Sequence, residues 1–180
     1  MATSNDVIRV LLIEDDQEDY MLTREHLHEA DRSGFSILWA QSLNAGLHTL
    51  SSQQVDVVLL DLSLPDANGL EGFFRLRKKF PRHPVIILTG FADEATGTRA
   101  VHEGAQDYIA KQNLDATLLH HALRYAIERK KISDQLEQYA EQLRRQNNEI
   151  TENLRLARKI QQRLLPHNTP AFPRSVSSEQ

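Results

Sequence analysis

The chain has 180 residues, a net charge of −4 and no cysteine, with 40% hydrophobic and 26% charged residues. This length holds one ordinary domain plus an appendage. The balance is that of a soluble globular protein, without disulfides or thiolate metal sites and without a general attraction for nucleic acid. The opening MATSNDVIRVLLIEDD runs a short apolar stretch into three acids, and lacks the basic start and cleavage site of a signal peptide. Nowhere do about 18 apolar residues follow one another, so no membrane partner is expected. A cytoplasmic protein follows.

In chain order, β-branched apolar runs at 7–13, 35–40, 55–60, 84–88 and 106–110 alternate with stretches of helical spacing. The latter cover 18–30, 42–52, 69–80 and 93–103, and a fifth starts near Asn113. Continuous rather than alternating apolar strands are buried on both faces, as in a parallel sheet. Five β-α repeats therefore predict an α/β fold, a flavodoxin-like doubly wound five-stranded parallel sheet in the order 2-1-3-4-5. Functional sites in such sheets lie at the carboxyl ends of the strands.

From Arg129 to Leu164 there is neither Gly nor Pro. With Arg129 at position a, the a series is Arg129, Leu136, Leu143, Ile150, Ala157 and Leu164, and the d series is Ile132, Tyr139, Gln146, Asn153 and Ile160. This 3-4 spacing predicts a coiled coil, continuous with the fifth helix and on the order of 75 Å long with it. The expected seam is Ile132, Leu136, Tyr139, Leu143, Ile150, Ile160 and Leu164, and the expected partner is a second copy. Nine basic residues are interleaved with five acidic ones over 129–163, which argues against DNA as the partner. Pro166 stops the helix, and the Pro-, Ser- and Asn-rich tail reads as disordered. The expected division is 1–127, 128–165 and 166–180.

The chemistry gathers at the predicted strand ends. Glu14, Asp15 and Asp16 follow the first strand, Asp61 closes the third, Thr89 ends the fourth and Lys111 ends the fifth. Clustered carboxylates repel unless a hard cation joins them, and an all-oxygen set suits Mg²⁺. A metal, a carboxylate nucleophile, a hydroxyl and a point cation fit phosphoryl transfer to Asp61. Each residue also has a plainer reading. Asp16 equally well opens the following helix, whose N-terminus favours negative charge, and Tyr108 by itself reads as a core aromatic.

The segments LLIEDD, VVLLDLSLPDANGLE, VIILTG and GAQDYIAK resemble the signature segments of bacterial response-regulator receiver domains, over roughly residues 8–127. The resemblance implies that Asp61 accepts a phosphoryl group from a histidine kinase or histidine phosphotransfer protein. It implies that Asp15, Asp61 and the backbone carbonyl of Ser63 ligate Mg²⁺, with Glu14 acting through a water. Thr89 and Lys111 would contact the phosphoryl group, Tyr108 would follow Thr89, and Pro65 and Gly69 match the turn after the acceptor. Gln112 stands where the family usually has a Pro, which puts the family's cis-peptide turn, and the entry into the last helix, in question.

The helix end LRLARKIQQRLLP resembles the linker that precedes the catalytic domain of stage-II-sporulation-type metal-dependent Ser/Thr phosphatases. It implies a receiver and coiled coil that regulate a phosphatase domain of the PPM type, the present chain not itself being an enzyme. The alternative is a stand-alone receiver adaptor whose coil docks a partner protein.

Overall fold

The structure, a computed structural model, describes residues 7–31, 34–90 and 94–164. Among the described residues there are seven strands, β1 (Ile8–Ile13), β2 (Phe35–Ala40), β3 (Val57–Asp61), β4 (Ser63–Leu64), β5 (Ala67–Asn68), β6 (Val85–Thr89) and β7 (Asp107–Ala110), and five α-helices. These are α1 (Gln17–Ala30), α2 (Leu43–Ser52), α3 (Leu70–Lys79), α4 (Glu94–His102) and α5 (Ala116–Leu164). Five strands form a parallel sheet in the order β2-β1-β3-β6-β7. Counting the sheet strands alone, this is the order expected from sequence.

The apolar runs explain the burial. Every residue of β3 and β6 is buried, because side chains alternate between two faces and both faces are covered. Leu11, Ile13, Val58, Leu60 and Ile87 point to one face, where they meet Leu43 and Leu50 of α2, Phe73 and Leu76 of α3, and Ala100 of α4. Val10, Leu12, Leu59, Ile86, Leu88 and Ile109 point to the other, against Leu27 of α1 and Leu119, Leu123 and Ala126 of α5.

Local chemistry sets the helix starts. Asp16 caps α1, accepting from the amides of Glu18 at 2.7 Å and Asp19 at 3.1 Å, so of its two readings the structure bears out the cap. Ser42 caps α2 through the Ala45 amide. The same helix start is held from outside by Asp66, whose carboxylate accepts from Leu43 and Asn44 at 2.8 and 2.9 Å. Asp66 is positioned by the small antiparallel ribbon β4-β5, whose two-residue strands carry no periodicity in the sequence. Gly69 follows with φ +56°, a left-handed conformation that Gly adopts without strain.

The last helix starts at Ala116 rather than near Asn113. Residues Lys111–Asn113 form a 3₁₀ turn instead, closed by Leu114 N–H donating to the Lys111 carbonyl at 3.2 Å. Asp115 then accepts from the Leu118 amide at 2.8 Å. All described peptide bonds are trans, that of Gln112 included.

Contacts divide the chain between Asp134 and Gln135, a point that α5 crosses as one helix. In the second unit, Leu136, Tyr139, Leu143, Ile150, Leu154, Leu156 and Ile160 are all exposed. Leu164 ends the helix. The expected tail at 166–180 lies outside the described residues.

Phe73 is fully buried while its neighbour Phe74 is 44% exposed. Phe73→Ala is expected to lower unfolding free energy by about 3–5 kcal/mol, and Phe74→Ala by about 1 kcal/mol or less. Urea titrations of the two variants check this. Equal losses would contradict the assignment of Phe73 to the core.

Candidate functional site

Strand register brings the polar residues together. Ile13 stands beside Leu60, so Glu14 and Asp61, the next residues of β1 and β3, emerge side by side. Asp61 stands beside Leu88 and Thr89 beside Ala110, which carries Thr89 and then Lys111 to the same edge. Oxygens of Glu14, Asp15 and Asp61 lie within 4.8 Å of one another. Two of these acids are almost out of water, Glu14 at 1% and Asp61 at 3% exposure, and Thr89 is fully buried. Asp15 is exposed.

Lys111 is the cation at the centre. Its Nζ lies 2.7 Å from Glu14 Oε2, 2.7 Å from Asp19 Oδ2 and 3.3 Å from Asp61 Oδ2. The contact with Glu14 is an ion pair rather than an aligned hydrogen bond, since Oε2 has no donor in hydrogen-bonding geometry. That with Asp19 is an aligned hydrogen bond. Burial disfavours the ammonium, but Asp19, Glu14 and Asp61 together outweigh it and hold Lys111 above the usual lysine range.

The carboxylates respond in the opposite sense. Burial, reinforced by the Asp61 charge, pushes Glu14 up to about 7 in spite of Lys111. Burial also raises Asp61, while Lys111 and the amides of Leu62 and Ser63 pull it back. Two buried, mutually repelling carboxylates beside an exposed third make an all-oxygen donor set of the kind that holds a hard divalent cation. Thr89 Oγ1 is buried without a hydrogen-bond partner among the described residues. An unpaired hydroxyl at this depth is costly and offers a donor to a group arriving at the site.

The other expected residues are less central. Ser63 contributes its amide toward Asp61, and its side chain is exposed. Tyr108 is half-buried against the α2–α4 face, with its ring base against Gly97, where a Cβ would come within 2.5 Å of the ring.

Two contributors were not anticipated from sequence. Asp19 reaches Lys111 from the first turn of α1; its position one turn after Asp15 was the signal available. Trp39 donates through Nε1 to the Glu14 carbonyl at 2.7 Å and stacks on Tyr20 with centroids 4.2 Å apart. No spacing rule connects residues 14, 20 and 39, which only the packing of β1, β2 and α1 brings together.

The Glu14 shift predicts a pH dependence. Between about 4.5, the ordinary carboxyl value, and about 7, the folded chain keeps a proton that the unfolded chain has released. Stability from this group is therefore full below about 4.5 and lost as pH rises through about 7. In metal-free protein, the difference in urea midpoint between native and Glu14→Gln chains should move against the native chain across that window. A difference independent of pH would contradict it.

A family model described as the response regulator receiver domain matches residues 10–124. The photosynthetic apparatus regulatory protein RegA of Rhodovulum sulfidophilum is 30% identical over 171 residues, covering 89% of this chain and 92% of that protein. The KDP operon transcriptional regulatory protein KdpE of Escherichia coli is 35% identical over 102 residues. There the match spans 57% of this chain but only 44% of KdpE, and the match to the transcriptional activator IrlR of Burkholderia pseudomallei likewise spans 44% of that protein. Among solved structures, a receiver domain protein from Clostridium thermocellum superposes with a TM-score of 0.62 at 30% identity, over 70% of this chain and 98% of the other. A strand order of 2-1-3-4-5, acids at the first and third strand ends, a buried threonine and a lysine at the next two, and a family match over most of the folded unit lead to one conclusion: this chain belongs to the response-regulator receiver family of two-component signalling systems.

Proposed function

We propose that the chain accepts a phosphoryl group on Asp61, with Mg²⁺, from a histidine kinase or histidine phosphotransfer protein, and relays its state along α5. The observation that carries this reading is the Asp61 carboxylate, 3% exposed, with Lys111 at 3.3 Å and two further carboxylates beside it. An Asp61 oxygen attacks phosphorus as the bond to the donor's imidazole nitrogen breaks. Lys111 offsets charge on the phosphoryl oxygens, and the Thr89 hydroxyl donates to one of them. Mg²⁺, held by Asp15, Asp61 and the Ser63 carbonyl with Glu14 through water, would supply further positive charge. Tyr108, against Gly97, is the aromatic that follows Thr89.

In this reading 1–127 is the receiver, 128–165 a coiled-coil linker and 166–180 a tail. Apolar Ile132, Leu136, Tyr139, Leu143, Ile150 and Ile160 are each 50–64% exposed on the isolated helix, a stripe that a second copy of α5 would cover in parallel. Leu164 closes the seam by spacing alone. The output of the whole protein has two readings. The stretch LRLARKIQQRLLP favours a PPM-type Ser/Thr phosphatase, with a docking adaptor as its variant without a fused enzyme. The names of KdpE and IrlR, both regulators of transcription, favour transcriptional control. Phosphatase assay of the natural full-length protein on phosphoserine proteins separates them.

Asp61→Asn should abolish Mg²⁺-dependent labelling by a small-molecule phosphodonor while leaving the unfolding midpoint nearly unchanged. Stoichiometric labelling of the variant at one site would refute the acceptor assignment. For the seam, sedimentation should give a dimer that Leu143→Asp returns to monomer. Gln146→Leu with Asn153→Leu should tighten the dimer, since polar seam positions weaken a coil while fixing its register. A native chain that stays monomeric at high micromolar concentration would remove the coil from the relay.

A further inference from the structure

Lys111 pairs with Asp19 on α1 as well as with the acids at the strand ends. An ammonium has three N–H donors, and Lys111 faces three carboxylates, those of Glu14, Asp19 and Asp61. An arriving phosphoryl oxygen can pair with Lys111 only if one of these contacts is given up or lengthened. The three are unequal. Glu14 is 1% exposed, and the Asp16 amide at 3.2 Å is its other neighbour, so leaving it unpaired would strand a buried acid. Asp61 is the acceptor itself. The Asp19 side chain is 39% exposed, and water replaces its lost partner at small cost. Asp19 also holds the ammonium 2.7 Å away while the acceptor oxygen is at 3.3 Å, so the resting lysine is drawn toward α1.

We infer that Asp19 is a positioning residue that restrains Lys111 in the unphosphorylated chain, and that its release is part of phosphoryl capture. The inference rests on Asp61 being the acceptor. Asp19 is fixed in place from below, since its own amide donates to the cap residue Asp16, in the loop that also carries Glu14 and Asp15. The restraint is therefore built into the same turn as the acidic residues. It lowers the rate at which Lys111 becomes available.

The test uses acetyl phosphate with Mg²⁺ on the full chain. An Asp61 oxygen forms the new P–O bond, the acyl phosphate P–O bond breaks, and acetate leaves. Asp19→Asn should raise the rate of phosphoryl capture about two- to five-fold, the factor expected for losing a partly exposed ion pair. Glu18→Gln removes the same charge from the neighbouring, exposed position of α1, which makes no contact with Lys111, and should stay at the native rate. Asp19→Glu, which keeps a carboxylate within reach, should lie nearer native than Asp19→Asn. An Asp19→Asn rate equal to or below native overturns the restraint. So does Glu18→Gln accelerating as much as Asp19→Asn, because general repulsion of an anionic donor would then be the cause. If the native chain takes no label, the acceptor assignment falls and the restraint with it. If the native chain is labelled at Asp61 and the three variants are indistinguishable, only the restraint falls.

Discussion

Placing carboxylates where water cannot reach them is the constraint on which the site depends. Glu14 and Asp61 end two adjacent central strands, and both strands are covered on each face, so neither acid can keep a hydration shell. A buried charge is tolerated only when paired, and the pairing cation is Lys111, delivered from the end of the edge strand β7, two places from β3. The site is in this sense under tension. Burial raises both acids, Lys111 pulls them back only in part, and the remaining repulsion favours a further cation. The Lys111 cation and a Thr89 hydroxyl without a partner among the described residues suit a group that brings negative oxygens, and the three carboxylates are of the kind that holds a hard cation.

The same sheet connects the site to α5 through packing. Leu88, next to Thr89, and Ile109, two residues before Lys111, lie in one apolar cluster with Leu119, Leu123 and Ala126 of α5. The opposite face carries α2, α3 and α4, with Tyr108 lodged against Gly97. The strand ends are thus packed against helices on both faces, with aliphatic contacts on each and, on the α4 side, the Tyr108 ring against Gly97 as well. Packed cores respond in discrete steps rather than by gradual deformation. Beyond Asp134, α5 has few partners of its own. Among the described residues there, the Arg145–Glu141 pair adds only tenths of a kcal/mol, while a row of large apolar side chains stays in contact with solvent. A helix of that composition is stabilised mainly by whatever covers its stripe.

Much of the fold was legible in the sequence, for reasons that differ by element. The runs LLI, VVLL and VIIL are continuous because their strands are buried on both sides, which pointed to parallel pairing, while the order followed from the repeated β-α units. Acids, Thr89 and Lys111 were recognisable because each directly ends a strand, and strand ends converge in a doubly wound sheet whatever the details. The helical reading of 129–164 followed from spacing and from the absence of Gly and Pro. Tertiary structure decided what depends on neighbours distant in sequence. The ribbon β4-β5 places Asp66 at the start of α2, and two-residue strands leave no pattern. The 3₁₀ turn at Lys111–Asn113 follows from how the chain leaves an edge strand, which Gln112 alone does not specify. Asp16 caps a helix while Asp15, beside it, joins the acidic group, and only backbone direction separates the two. Above all, the tie from Asp19 to Lys111 spans 92 positions. Local sequence determines which side chains reach the end of a strand, but which of them meet is settled by the register of strands and the docking of helices.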